Sequence, residues 1–531
     1  MRRPRVLAVL LLALLLAVGA RRLDVHPVTY RADEAETAGG AEHAVRSADV
    51  LIVVDAAAVA ATGGRSFEAC DWSYGWWNLA EQELGRFAVA PPDLGRGLPE
   101  RRVVVVTRSA LRSARDAVPA LRAFVASGGV LAVEQPDEPW AALTRATTGR
   151  VTTEPLVLTG ADRETAAELA AVPRVAGAFR TLVPKGEVRV LATSGGAPVA
   201  TLAAHGRGAV LALGIDVGRA VTALQQGLPD PEGFRVSNRH PATLTAHLQA
   251  SDLVADGGLL GATVPVADVL ERVVVRLLEA HGPLPRWWTH PDAAPGSYAA
   301  THDEEAMGDA AAWMADAERS WGRAGSDFVV AARRLTPRGA ARMGGAGRTL
   351  GLHHVDDLAL DAPRHEVGLG PFRPLVRPWT LAEQAAAFER LTGRRPRSNR
   401  NHYLLWDEGY ARPFRRMAAA GIEIDTTYGP DMGTAGYLFG TGLPFRALDE
   451  NGLPLPVHEL PFQTAEDLGG ADRAFVWRLL RESAERHHQT VTTLFHPNVF
   501  AWRPDAALYA TWRDAFAEAE RLGLHVTDVE T

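Results

Sequence analysis

A chain of 531 residues is too long for one hydrophobic core, so two folded units and a connector are expected. Apolar and charged fractions of 47% and 22% exclude a disordered or fibrous chain. The net charge is −7, and no basic run is interleaved with aromatics, which argues against nucleic acid as a partner.

Met1-Arg2-Arg3-Pro4-Arg5 is a positively charged leader, followed by a continuous apolar run from Val6 to Ala20. That run is short for a membrane span, which needs about 20 residues, but suits the core of a signal peptide. Val18-Gly19-Ala20 offers small residues for cleavage, whereas Arg21-Arg22 immediately after them is unfavourable for export. Residues 1–22 are therefore expected to be a signal peptide or an uncleaved N-terminal membrane anchor, with the bulk of the protein outside the cytoplasm. Cys70 is the sole cysteine, which rules out an internal disulfide and a multi-cysteine zinc site.

Residues 23–225 read as an α/β unit. Ala48–Asp55, Arg102–Thr107 and Val130–Glu134 are buried-strand patterns, with a helical stretch from Pro119 to Ala126 closed by Gly128-Gly129. Strand, helix, strand at this spacing predicts a parallel sheet. Val188–Thr193, Pro198–Ala203 and Gly208–Ile215 read as further strands separated by glycine turns. Trp72, Tyr74, Trp76 and Trp77 read as core or interface rather than a sugar platform. Residues 226–296 connect the halves: Val264–Ala280 has helical periodicity, and Pro283–Gly296, with four prolines, is a hinge.

Residues 297–531 alternate again. A strand leads into Asp303, a helix runs from about Ala306 to Trp321, and Ser326–Ala331 is a strand. Thr380 and Glu383 make a capping box for the helix that Gly393 stops. Ile422–Asp425 and Val491–Phe495 are short strands, and a last helix carries Trp512, Phe516, Ala519 and Leu522 on one stripe.

Thr301-His302-Asp303-Glu304-Glu305 carries the chemistry. Packing does not reward such a cluster, because each carboxylate costs several kcal/mol to bury unpaired. A divalent cation would resolve the conflict; an acid-rich helix N-terminus is the plainer account. Arg400-Asn401-His402-Tyr403, Asp425-Thr426-Thr427-Tyr428 and Thr493-Leu494-Phe495-His496-Pro497 follow in order.

This order resembles the polysaccharide deacetylase family (NodB-homology, carbohydrate esterase family 4). There a T-F-D-D strand end is followed by an H-x-x-x-H segment, an R-x-P-Y segment, an Asp segment and an L-x-H segment. The resemblance covers roughly residues 290 to 531 and implies a distorted (β/α) barrel over 297–531. Asp303 then matches the catalytic base, Arg400 the arginine that orients it, Asp425 an acid that partners a histidine, and His496 the general acid. Glu304 matches the metal-binding acid, with Glu305 able to substitute. Two stretches compete for the second segment. One is Thr349–His354, which offers His353 with Asp357 four residues on. The other is Glu366-Val367-Gly368-Leu369-Gly370, where Gly370 stands at the histidine position and the metal site would be incomplete. His402 replaces the family's proline and could restore a ligand.

The implied cofactor is a divalent metal, zinc first, with cobalt, nickel or manganese as alternatives. The implied partner is a polysaccharide or peptidoglycan-type amino sugar, and the implied activity is removal of N- or O-acetyl groups. A catalytically inactive carbohydrate-binding or assembly protein is the alternative. A glycosidase using Asp303 and Glu305 would leave the ordered Arg400, Asp425 and His496 unexplained. In the first half, LRAFVASGGVLAVEQP and HGRGAVLALGIDVG resemble the class I glutamine-amidotransferase-like doubly wound fold. Thr107-Arg108-Ser109 stands where that family carries its cysteine, and Cys70 lies elsewhere.

Overall fold

Val50–Val53 and Val103–Val106 are unbroken apolar runs buried along their whole length. Strands of that kind belong in the interior of a parallel sheet, covered on both faces. In the computed structural model they pair in parallel register with each other, and Phe87–Ala90, Val130–Glu134 and Gly208–Leu213 extend the same array. Ala197–His205, Arg189–Ser194 and Leu156–Leu158 continue it antiparallel, making eight strands. The helix Val118–Ala126 falls where Pro119 and the following glycines predict it.

The structure describes residues 49–531 apart from 65, 85–86, 95–97, 99–100, 229–247, 255–262, 285–287, 306, 332–334, 346–347, 356–363, 370–371, 407–409, 431–434, 467–472 and 503–504. The apolar run 6–20 lies outside these residues. Among the described residues, no helix is long and apolar enough to cross a membrane.

The second half is built on a ten-stranded sheet. From one edge to the other run Phe445–Leu448, Pro454–Glu459, Ile424–Asp425, Ser398–Asn401, Thr349–His354, Ser326–Val329, Ser297–Glu304, Thr490–Phe495 and Thr464–Ala465; His525–Thr527 also pairs with Ser297–Glu304. Every pairing is parallel except that of Phe445–Leu448 with Pro454–Glu459. The chain is thus α/β in both halves. Parallel order puts the ends of Ser297–Glu304, Thr349–His354, Ser398–Asn401 and Thr490–Phe495 at one rim, where the acids and histidines of the sequence motifs lie. Among the described residues, Arg364–Leu369 pairs only with Phe372–Pro378, in a separate hairpin. Thr349–His354 is therefore the segment that delivers histidines to the rim.

The helix Val266–Leu278 is buried at all but two of its thirteen positions, Arg272 and Arg276. It packs on the helices Arg163–Ala171 and Val217–Gln225, and its Ala267 N–H donates to Gly440 O of the second half at 2.9 Å. The edge strand Phe445–Leu448 is covered by two side-chain amides. Asn78 accepts from Arg446 N–H at 2.9 Å and donates to Arg446 O at 3.1 Å. Gln226 does the same for Leu448, at 2.8 and 2.7 Å. Each carboxamide supplies one donor and one acceptor, as a neighbouring strand would.

Candidate metal centre

Side chains of a strand alternate between faces, so Thr301, Asp303 and Glu305 share one side and His302 and Glu304 the other. The first side looks onto the rim. Glu305, His353 and His402 each offer a ligand atom, all within 4.8 Å of one another. His402 Nε2 stands 3.3 Å from Glu305 Oε1. The two imidazole rings meet edge to face with centroids 5.4 Å apart.

His353 Nδ1 lies 3.1 Å from the backbone carbonyl of Arg400. A carbonyl only accepts, so this nitrogen carries the proton and Nε2 carries the lone pair. That Nε2 is buried and has no hydrogen-bond partner among the described residues. Burial drives the His353 pKa down to about 4, only partly opposed by Asp303, so the ring is neutral at neutral pH. A neutral imidazole with an aimed, idle lone pair is a metal ligand in waiting. Two imidazoles and one carboxylate could supply three ligands, the donor set of a catalytic zinc-type site that leaves a position open.

Glu305 is oriented from its other oxygen, which accepts from Asn498 Nδ2 at 2.9 Å. Burial would raise its pKa, but the hydrogen bond from His402 and the charge of His496 and His402 outweigh it and hold the group well below the usual range. The chain is strained where it presents His402. Tyr403 and Leu404 both have φ of 54°, a conformation that costs a non-glycine residue about 1–2 kcal/mol.

Asp303 stands beside this trio. Its Oδ1 accepts from Arg400 Nη1 at 3.0 Å, and its Oδ2 lies 3.9 Å from His353 Nε2 and 4.0 Å from His496 Nε2. Burial opposes its ionisation, but the Arg400 charge outweighs that and keeps it a carboxylate. Arg400 is fully buried between the rings of Phe328 and Phe462, 4.7 and 4.9 Å from their centroids. Phe328 reaches that place because Gly351 has no side chain; a Cβ there would come within 2.6 Å of the ring. Arg400 also donates to Thr301 Oγ1, Thr426 O and Thr426 Oγ1, each at 2.9 Å.

His496 completes the rim. Its Nδ1 lies 2.9 Å from Glu466 Oε1, which also accepts its backbone N–H, and its Nε2 faces Glu305 Oε1 at 3.6 Å. Glu466 follows Thr464–Ala465, the strand next to Thr490–Phe495, so sheet pairing brings it to His496.

No family model matches the chain, and no curated protein matches it. Solved structures give partial likenesses. One is the exo-β-1,4-mannosidase Op5Man5 from Opitutaceae bacterium strain TAV5, at 16% identity and TM-score 0.23, over 33% of this chain and 32% of that one. Another is a putative polysaccharide deacetylase involved in O-antigen biosynthesis from Bordetella bronchiseptica, at 14% and 0.26, over 43% and 83%. A third is a mutant of a CE4-family pseudoenzyme with restored enzymatic activity, at 12% and 0.26, over 48% and 72%. The chain spans about a third of the length of the glycosidases it matches. At such TM-scores nothing passes from those proteins to this one, and the chemistry rests on its own residues.

Of the residues singled out by sequence, Asp303, His353, Arg400, His402 and His496 meet at the rim. Glu304 does not join them: it points to the opposite face, where its Oε1 accepts Gly308 N–H at 2.5 Å. Glu305 stands in the place expected of it. Asp357 and Gly370 lie outside the described residues. Among the described residues, Asp425 partners no histidine. It accepts from Asn399 Nδ2 and Thr427 Oγ1, both at 2.9 Å, and is the register neighbour of Glu459. Burial and the mutual repulsion of these two acids raise Glu459 well above the carboxylate range, and one proton held by Glu459 toward Asp425 relieves the pair. The carboxylate at His496 is instead Glu466. Glu466, Asn498 and Glu459 carry no sequence signal beyond their residue type; the strand alternation could have selected Glu305.

The opposite face holds a closed charge network. His302 Nδ1 faces Phe495 O at 3.3 Å, and its Nε2 faces Glu318 Oε1 at 2.8 Å. Glu318 also accepts from Arg348 and, at 3.0 Å, from Trp512 Nε1. Arg348 reaches Asp327 at 2.7 Å. Burial depresses the His302 pKa, but Glu318 more than restores it, so His302 is raised, and both its nitrogens face acceptors.

Proposed function

We propose that the chain is a metal-dependent hydrolase that removes acetyl groups from an amino sugar of an envelope or extracellular polysaccharide. The observation that carries the reading is the approach of Glu305, His353 and His402 within 4.8 Å, with an ionised Asp303 and a carboxylate-held His496 on either side. Glu305, His353 and His402 would hold the ion, zinc by donor set. A divalent cation bound there supplies an acidified water and polarises an acyl carbonyl.

The remaining work falls to side chains. Arg400 fixes Asp303 through Oδ1 and leaves Oδ2 to accept a proton from the attacking water. His496 gives a proton from Nε2 to the departing amine, while Glu466 accepts from Nδ1 and steadies the imidazolium. The acyl C–N bond breaks, the water oxygen ends in acetate, and the amine leaves protonated. The second sheet then belongs to the NodB-homology type, and the first is a glutamine-amidotransferase-like array without a catalytic cysteine. The same reading places the bulk of the chain outside the cytoplasm, with residues 6–20 as signal core or anchor.

The test is metal content and acetate release, measured on the full chain before and after chelation with N-acetylated amino-sugar oligomers as substrate. Loss of release on chelation and recovery with Zn2+, Co2+ or Mn2+ is expected. A chain that binds the polysaccharide, retains no metal and releases no acetate would instead be the inactive carbohydrate-binding relative.

A further inference from the structure

Asn401 lies between Arg400 and the candidate ligand His402, and it is buried. Its carboxamide reaches past the ligand: Nδ2 donates to Leu405 O at 3.0 Å, so one amide spans the turn His402–Leu404. Its Oδ1 accepts from Asn399 Nδ2 at 3.1 Å and faces His354 Nδ1 at 3.2 Å. Asn399 Nδ2 also donates to Asp425 Oδ1 at 2.9 Å. Thr427 makes a parallel path. Its hydroxyl accepts Asn401 N–H at 3.0 Å and donates to the same Asp425 oxygen at 2.9 Å.

The direction of these bonds is fixed from both ends. Leu405 O can only accept, so the amide nitrogen of Asn401 must face it and the amide oxygen must face Asn399. At the other end Asp425 Oδ1 takes two donors, which requires an oxygen without a proton. Asp425 stays an acceptor there because Glu459 holds the proton of the pair.

The turn needs such a hold. Tyr403 and Leu404 both have positive φ, and backbone of that kind persists only where its surroundings over-determine it. Within the turn Leu405 N–H bonds back to His402 O, and Gln249 Nε2 adds a contact to Tyr403 O at 3.3 Å. The Asn401 amide ties the far end of the turn to the strands Ser398–Asn401 and Ile424–Asp425.

We propose that Asn401 is a positioning residue: its amide, braced by Asn399, Thr427 and the Asp425–Glu459 pair, holds the strained turn so that His402 faces Glu305 and His353. The inference rests on the reading of those three side chains as metal ligands. It gives Asp425 the part of a buried anchor for the brace.

The test is a double-mutant cycle on the full chain, read as Co2+ affinity by competition with a chromogenic chelator. Asn401→Ala should weaken Co2+ about 10- to 100-fold. It should add no further loss once His402→Ala has been made, because the brace acts through that ligand. An unchanged affinity, or equal losses in both backgrounds, overturns the proposal. Asp425→Asn is the conservative control. A carboxamide there accepts from Asn399 and Thr427 through its oxygen and donates to an ionised Glu459 through its nitrogen, so Co2+ affinity should be kept. A loss as deep as that of Asn401→Ala overturns the brace.

Hydrogen–deuterium exchange of the metal-free chain separates this inference from the metal reading. Asn401→Ala should speed exchange at the Leu405 amide while the strand Ser297–Glu304 stays protected. Should the unaltered chain bind no Co2+, the metal reading falls, and unaltered exchange at Leu405 would overturn the brace as well. Should Asn401→Ala not fold, Thr427→Val, which removes only the hydroxyl, takes its place in both measurements with the same outcomes.

Discussion

His302 and His353 sit on adjacent regions of one sheet, each buried and each bonded through Nδ1 to a carbonyl, yet their pKa values are moved in opposite directions. His302 meets Glu318 through its second nitrogen, and the pair is locked among Arg348, Asp327 and Trp512. Every strong donor there has an acceptor, so the assembly is finished and its work is cohesion. Among the described residues, the second nitrogen of His353 has no hydrogen bond, and it lies beside carboxylates kept ionised by Arg400 and by the neighbouring histidines. Identical residue types thus build a strut on one face and leave a rim with an unbonded imidazole nitrogen on the other. The difference lies in whether the last valence is filled.

The comparison breaks most visibly on the rim. His353→Ala should lower acetate release by about three orders of magnitude while the melting temperature barely moves; Asp303→Asn should lose as much release but also cost stability, because it leaves the buried Arg400 without its carboxylate. Parallel loss of activity and fold in His353→Ala would erase the distinction between the faces. On the other face, Glu318→Gln should do the reverse. It leaves Arg348 and His302 without their shared buried partner and should cost about 3–5 kcal/mol in urea unfolding, with kcat of the folded fraction retained. Its acid dependence sharpens the test. Burial opposes ionisation of Glu318, but His302 and Arg348 hold its pKa at about 2 in the fold, against 4.5 for a free group. The stabilisation is therefore complete above pH 4.5 and lost as pH falls toward 2, and the variant should lack that slope.

Smaller effects are expected from the residues that aim the rim groups. Asn498→Ala frees one oxygen of Glu305 and should weaken metal affinity roughly 10- to 100-fold, measured by competition with a chromogenic chelator. Glu466→Gln should lower kcat about tenfold. It should also move the basic limb of the rate profile to lower pH, because His496 loses the carboxylate that favours its charged form. An unshifted profile would assign Glu466 to packing alone.

Much of this arrangement is legible in the chain. Apolar runs such as VLIV and VVVV mark the strands, and Thr380 caps its helix together with Glu383 as the spacing predicts. The order of acidic and histidine segments foretells a common rim, because strand ends in a parallel sheet share a side. Strand alternation also separates Glu305 from Glu304, whereas the resemblance alone points to Glu304. What stays hidden depends on register between distant strands. Glu466 follows a strand of two residues, and Glu459 meets Asp425 only through sheet pairing. Asn399 and Asn401 stay hidden likewise, because their amides find Asp425 and Leu405 O only in the folded turn.

The amide caps of Asn78 and Gln226 on Arg446 and Leu448 bear on how the protein can be dissected. An excised second half would bare a length of unpaired backbone at the Phe445–Leu448 border. Such a border invites a strand from another copy, and shortened forms of this protein should therefore clump or pair unless that border is blunted.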